Sequence, residues 1–189
     1  AEEQATTDLS DVLWGRTPQV RVSHKEAGWA YAGTRGMERL FGQLTDWIQA
    51  VLTDLGAIGI QGIMGAAPGW QQARLLALAG GGVLTDAMNA QAFHHVSCAA
   101  LEPSRDLERL FVRLGMQTIG DFLKVPTGDV LDHMGEEAFL KHQIVRGQEP
   151  GGPLAFEQYV SAFAEEEHFE DAIGDLHALS FVLQPMLSR

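Results

Sequence analysis

The stretch Arg113–Pro126, RLGMQTIGDFLKVP, holds residue types that grip a nucleic-acid backbone. Gly115 permits a sharp turn between two short helices, and Thr118 with Asp121 three residues on forms a variant capping box, with Asp in place of the usual Glu. A turn of this kind leaves backbone N–H groups unpaired at the turn and at the next helix start. Such donors suit a phosphate oxygen, and the helix dipole favours the same anion. Arg113 and Lys124 add point charges nearby. The expected DNA-backbone contacts are therefore Arg113, Gly115, Thr118, Gly120 and Lys124. A plain turn between packed helices needs the same glycine and the same cap, so that reading stands beside the first.

Other chemistries find less support. Histidines occur at His24, as the pair His94-His95 and at His133, His142, His168 and His177, but no H-E-x-x-H spacing appears. Asp132-His133 and the group His168, Glu170 and Asp171 read as exposed helix residues in preference to metal ligands. No G-x-S-x-G marks a nucleophile. The triple glycine Gly80–Gly82 follows a helical pattern, whereas a phosphate-cradling loop precedes one. No cofactor and no metal is expected. Trp14, Trp29, Trp47 and Trp70 read as core anchors. The segment Gln43–Trp47, QLTDW, is faintly like a sliding-clamp-binding peptide, but Leu44 and Trp47 fall on the buried face of a helix.

The elements that must hold these residues belong to an acidic chain of 189 residues with a formal net charge of −12. The charge is uneven. Residues 104–124 carry four bases (Arg105, Arg109, Arg113 and Lys124) against three acids, and every other segment is acid-rich. The chain as a whole exerts no long-range pull on nucleic acid. No apolar run reaches the roughly 18 residues that span a membrane, and no signal peptide opens the chain, so no membrane partner is expected. The single cysteine, Cys98, cannot form an internal disulfide, which points to a reducing, cytoplasmic setting. The opening AEEQ, without methionine, reads as that of a trimmed chain or a fragment.

Residues 18–23 alternate as a half-buried strand, and Gly28–Gly36 reads as a second, glycine-weakened one. From Met37 the apolar period becomes helical through Leu40, Phe41, Leu44, Trp47, Ile48, Val51, Leu52 and Leu55, with Gly56 as the stop. A buried strand is expected at Ala57–Met64, a helix from Pro68 to Ala79 and a short strand at Val83–Leu84. Ser104 caps a helix ending at Gly115. Thr118 caps the next, Thr127 opens a third that Gly135 closes, and Glu136–Arg146 forms a fourth. Gly147–Pro153 reads as a linker. A strand at Phe156–Phe163 and an amphipathic helix through Ile173, Leu176, Leu179, Leu183 and Leu187 follow. The fold class is α+β.

The run LERLFVRLGMQTIGDFLKVPTGDVLDHMG resembles the thumb of Y-family translesion DNA polymerases, where LGI-x-TIGDL…LP…L…FG recurs. Thr34–Gln43, TRGMERLFGQ, is similar to the VTG…LFGG segment of the ImuB-like branch. GIQGIMGAAPGWQQARLLA is similar to the palm strand and helix that follow in that branch, and FEDAIGDLHALSFVLQPMLSR to the start of its little-finger domain. The resemblance covers the chain from about Gln19 onward. It implies a partial, palm-like α/β remnant over 1–100, an all-helical thumb with a helix-hairpin-helix over 101–147, and a linker with the first strand and helix of a truncated little-finger domain over 148–189.

Aligned through LFG, the palm carboxylates of active members fall on Gly28, Trp29 and Gly33, which cannot hold the two magnesium ions of nucleotidyl transfer. The resemblance thus implies a protein without polymerase activity, an adaptor in bacterial DNA damage tolerance, SOS mutagenesis and translesion synthesis. It implies cytoplasmic, nucleoid-associated localisation and weak, sequence-independent binding of DNA. Its implied protein partners are an error-prone DNA polymerase, an accessory mutagenesis protein and the sliding clamp, with the clamp motif beyond Arg189. Two alternatives stay open from sequence: a fragment of an active translesion polymerase, and a protein-interaction module without DNA binding, to which the acidic run Glu165–Glu167 would belong.

Overall fold

In a computed structural model of the chain, residues 2–23 and 26–158 are described; the expected C-terminal helix and His168 and His177 lie outside them. The fold is mixed α+β. No helix among the described residues is long and apolar enough to cross a membrane.

Helix α1, Glu2–Trp14, is an element that the sequence reading leaves unassigned. Its Leu9, Val12 and Leu13 recur at helical spacing and turn toward strand β1, Gln19–Val22, whose Val20 and Val22 are buried. Strand β2, Ala30–Ala32, pairs antiparallel with β1, placing Val20 opposite Ala32 and Val22 opposite Ala30.

The single helix expected from Met37 is broken in two, α2 at Glu38–Phe41 and α3 at Leu44–Ala57. Gly42 between them has φ +81°, a left-handed conformation that interrupts the helical ladder. Gln43 restarts it, its amide donating to Asp46 Oδ2 at 3.4 Å. The break takes Leu40 off the buried face, leaving it 74% exposed, while Trp47, Val51 and Leu55 complete a first core with α1 and β1.

The strand expected at Ala57–Met64 does not form. Residue 57 ends α3, and the chain pairs only at β3, Gly65–Ala66, parallel to β4, Gly82–Val83. Between them runs α4, Trp70–Leu78. Gly65 has to be glycine, because a Cβ there would sit 2.2 Å from the Ala73 carbonyl oxygen and 2.5 Å from the Ala77 nitrogen.

Two 3-10 turns, Ala90–Phe93 and Cys98–Leu101, lead into four short helices. These are α5 at Arg105–Arg113, α6 at Ile119–Leu123, α7 at Thr127–Met134 and α8 at Glu136–Val145, close to the expected positions. Their caps explain the agreement: the Ser104 hydroxyl accepts from the Leu107 amide and the Thr118 hydroxyl from the Asp121 amide. Phe111, Ile119, Phe122, Val130 and Val145 share a second core with Leu75, Leu84 and Phe93, so this core extends across the boundary expected at 100/101. The glycine-rich linker is docked against α4. Glu149 Oε1 accepts from the Trp70 amide at 2.9 Å, and the Gly152 carbonyl from Trp70 Nε1 at 3.2 Å. The chain then returns as β5, Glu157–Gln158, on the free side of β1, and residues up to Gln158 form one compact unit.

Candidate functional site

The helix-turn-helix around Gly115 folds as its residue types dictate, yet its amides are not open donors. Gly115 has φ +71° and donates to the Val112 carbonyl at 3.1 Å, while Met116 N donates to the Phe111 carbonyl at 2.9 Å. At the start of α6 the amides of Gln117 and Thr118 donate to Asp121 Oδ2 at 3.4 and 3.2 Å. Those of Ile119 and Gly120 reach the carbonyls of Val96 and His94 at 2.8 and 3.2 Å. The expected phosphate seat is therefore filled by the chain's own 94–98 loop, which crosses the helix start and pairs Ser97 with Thr118. Gly120 serves this closure, since a Cβ would lie 2.6 Å from the His94 carbonyl oxygen.

The side chains follow the same logic. Asp121 is held well below the usual carboxylate range by the Lys124 ammonium at 2.8 Å and by the Thr118 amide and hydroxyl. Lys124 is exposed but committed to that pair. Cys98, buried and facing the Asp121 charge, has its thiol pushed up to about 11 and is not a nucleophile at neutral pH. Thr118→Ala is accordingly expected to lower stability by about 1 kcal/mol in urea denaturation, as loss of an N-cap does, with DNA affinity unchanged. Reduced affinity at unchanged stability would return Thr118 to the phosphate role.

A basic surface does exist one helix earlier. Arg105, Arg109 and Arg113 follow at intervals of four along α5, on the side opposite the buried Leu107 and Phe111. All three are exposed, with Val112 76% exposed among them. Arg109 pairs with Asp106 at 2.8 Å, an exposed contact of little energetic weight. Arg113 and Arg105 make no side-chain hydrogen bond or ion pair among the described residues. The signal for this row was the spacing of the arginines themselves.

The positions of the expected palm carboxylates lie elsewhere, on and around β2. Gly28 turns the chain into β2 with φ +79°. Gly33 closes the other end, donating to the Gln19 carbonyl at 2.7 Å and accepting from the Thr17 hydroxyl at 2.5 Å. Trp29 stacks with Tyr31 at 6.4 Å and lies 4.2 Å from the guanidinium carbon of Arg74. Arg74 is the centre of this region, and no sequence motif marks it. Its only signal is to be the one base in residues 57–103.

Arg74 forms a two-pronged contact with Glu102, Nε to Oε2 at 3.0 Å and Nη2 to Oε1 at 3.2 Å. Its Nη1 donates to Glu26 Oε2 and to the Tyr31 hydroxyl, the latter at 3.2 Å. Burial alone would lower its pKa, but the bonds to Glu26, Tyr31 and Glu102 outweigh that and raise it. Glu102 is brought into line by a left-handed backbone, φ +48°, that L residues other than Asn and Asp adopt rarely. Lys141 Nζ donates to the carbonyls of Leu101 and Glu102, at 2.6 and 3.1 Å, and so fixes the turn. The Arg74 side chain is 17% exposed against 50% and 51% for the two carboxylates.

The cavity beside this cluster, about 860 Å³, is lined also by Arg21, Trp70, Leu101 and Ile144. A cation bridging the two carboxylates would compete with the guanidinium for them. Among the described residues no three His, Cys, Asp or Glu side chains are grouped to hold a metal ion. His133 is exposed at the end of α7, while His142 is buried without a hydrogen-bond partner. No protein-family model matches the chain, and none of the curated proteins does.

Proposed function

We propose that the chain is a non-catalytic, Y-family-polymerase-like adaptor of the ImuB-like kind, acting in DNA damage tolerance and mutagenic translesion synthesis. The observation that carries this reading is the Arg74 cluster. Where the resemblance calls for carboxylates free to hold magnesium, Gly28, Trp29 and Gly33 offer none, and the nearby Glu26 and Glu102 are already paired with one guanidinium stacked on Trp29. Nucleotidyl transfer needs carboxylates free to take the metal ions. The protein partners are those the resemblance implies: an error-prone polymerase, an accessory mutagenesis protein and the sliding clamp. DNA is held weakly through its backbone, by the exposed arginine row of α5.

The test is fluorescence anisotropy of a labelled primer-template titrated with the chain at low and moderate salt, beside a primer-extension assay with magnesium and nucleotides. The expected result is no extension and weak binding that falls steeply with salt. Arg109→Glu with Arg113→Glu should flatten the log–log salt slope by about two, one for each phosphate that an arginine no longer neutralises, whereas Lys124→Glu leaves it nearly unchanged. Extension of the primer would overturn the non-catalytic reading. Absence of binding at low salt, or binding indifferent to the arginines, would remove DNA from the proposal and favour a protein-interaction module.

A further inference from the structure

The two small sheets each end in an open edge, and the two edges line one groove. Sheet order is β2-β1-β5 in the first and β3-β4 in the second, so β2 and β3 each lack a neighbour on one side among the described residues. A single cavity of about 1370 Å³ is lined by the run Ala27–Arg35, which contains β2, and by the run Ile60–Pro68, which contains β3.

The hydrogen-bond register shows which backbone groups face this groove. Gly33 N donates to the Gln19 carbonyl and Ser23 N to the Trp29 carbonyl, so the bonded pairs with β1 are 19/33, 21/31 and 23/29. By strand alternation, the N–H and C=O of Ala30 and Ala32 point away from β1. Across the groove, Gly82 N donates to the Met64 carbonyl and Leu84 N to the Ala66 carbonyl. Ile63 and Gly65 therefore turn their N–H and C=O away from β4. None of these four residues finds a backbone partner on that side among the described residues. Two unpaired ladders lining one groove offer backbone donors and acceptors to an extended chain.

The faces of the groove specify the side chains of such a chain. Ala30, Ala32 and Met64 pack against the first core together with Leu9 and Ile48, an apolar floor. On the opposite face Tyr31 meets Trp70 edge-on at 5.8 Å. The charged lining groups are Arg35, Arg74 and Glu149, of which Arg74 and Glu149 are already engaged. We propose that the groove between β2 and β3 receives an extended segment of a partner polypeptide as an added strand, uncharged at its centre and apolar at alternate residues. This interaction surface is separate from the arginine row and stands whether or not the chain holds DNA.

The test is amide NMR of the full chain titrated with a capped octapeptide of alternating threonine and valine bearing a glutamate at each end. Binding should saturate below about 1 mM, with shifts at Ala30, Ala32, Ile63 and Gly65 and slowed exchange of the Ala30 and Ala32 amides. The same peptide N-methylated at alternate residues should not bind. Ala32→Pro should weaken binding about tenfold, about 1.4 kcal/mol, and keep the fold, because an edge strand tolerates proline where its N–H faces outward. If Ala32→Pro unfolds, the N-methylated peptide carries the decision. No saturable change, or equal binding of the N-methylated peptide, would overturn strand addition. Concentration-dependent dimers that the peptide competes away would overturn the choice of a partner chain and assign the groove to a second copy.

Discussion

Arg74→Met is expected to lower the unfolding free energy by about 2–3 kcal/mol, between the values for broken exposed and broken buried ion pairs. Methionine keeps the aliphatic stem but removes both prongs to Glu102, the contacts to Glu26 and Tyr31, and the charge over Trp29. Two carboxylates at the cavity wall are then left without their shared cation. They are half-exposed, which holds the loss below that of a fully buried pair. Part of the loss is repulsion between the orphaned acids, so Arg74→Met combined with Glu102→Gln should be more stable than Arg74→Met alone. Urea denaturation of the wild type and the two variants decides it. A loss under about 0.5 kcal/mol for Arg74→Met would place the cluster among ordinary surface pairs.

The second large effect concerns His142 on α8. It is fully buried, its ring meets Phe122 edge-on at 5.1 Å, and neither ring nitrogen has a hydrogen-bond partner among the described residues. Burial first, and then the Arg146 charge one turn away, push its pKa below the ordinary 6.5; the Val125 backbone, outside hydrogen-bonding geometry, offsets only part of this. The folded state thus binds the proton less readily than the unfolded state. Stability is full above pH 6.5 and declines as pH falls toward the lowered value, by up to about 1.4 kcal/mol per pH unit. Asp121 behaves likewise but in a separate window, since its contribution fades only as pH falls below the ordinary 3.8. His142→Leu removes two unsatisfied buried nitrogens and is expected to stabilise by about 1 kcal/mol at pH 7 while erasing the decline between pH 6.5 and 5. His142→Ala leaves a cavity against Phe122 and should cost about 3 kcal/mol. Parallel stability curves for the wild type and His142→Leu across pH 5–8 would exclude the buried neutral imidazole.

The helical half of the molecule is readable because its punctuation is local. Ser104, Thr118 and Asp121, Gly115 and Gly135 act within a turn or two of themselves, and their caps form as their chemistry requires. The strand half depends on partners far along the chain. Ala57–Met64 has a strand's composition, yet only Gly65–Ala66 finds a neighbour, so the run stays unpaired. Gly42 reads as one residue in a helical pattern, and its positive φ is what divides that pattern. The candidate site fails for the same reason. The sequence shows that Thr118 and Gly120 begin a helix, but not that the 94–98 loop lies across that beginning and takes its amides. Nor does any spacing connect Arg74 to Glu26 and Glu102, which lie 48 and 28 residues away.

The pairing of β1 with β5 sets a timetable for the protein's synthesis. Val20 meets Glu157 across that ladder, so the third strand of the sheet is among the last parts of the compact unit to leave the ribosome. At ordinary elongation rates the interval is on the order of 10 s. Throughout it, the hairpin of β1 and β2 has both outer edges bare, and Trp70 waits for the carbonyl of Gly152. The α5–α8 helices can cap themselves as they emerge, whereas the sheet is finished only when translation reaches its far border. A nascent chain of this protein is therefore most vulnerable to mispairing in the β1–β2 hairpin, and the segment Gly147–Gln158 is what ends that exposure.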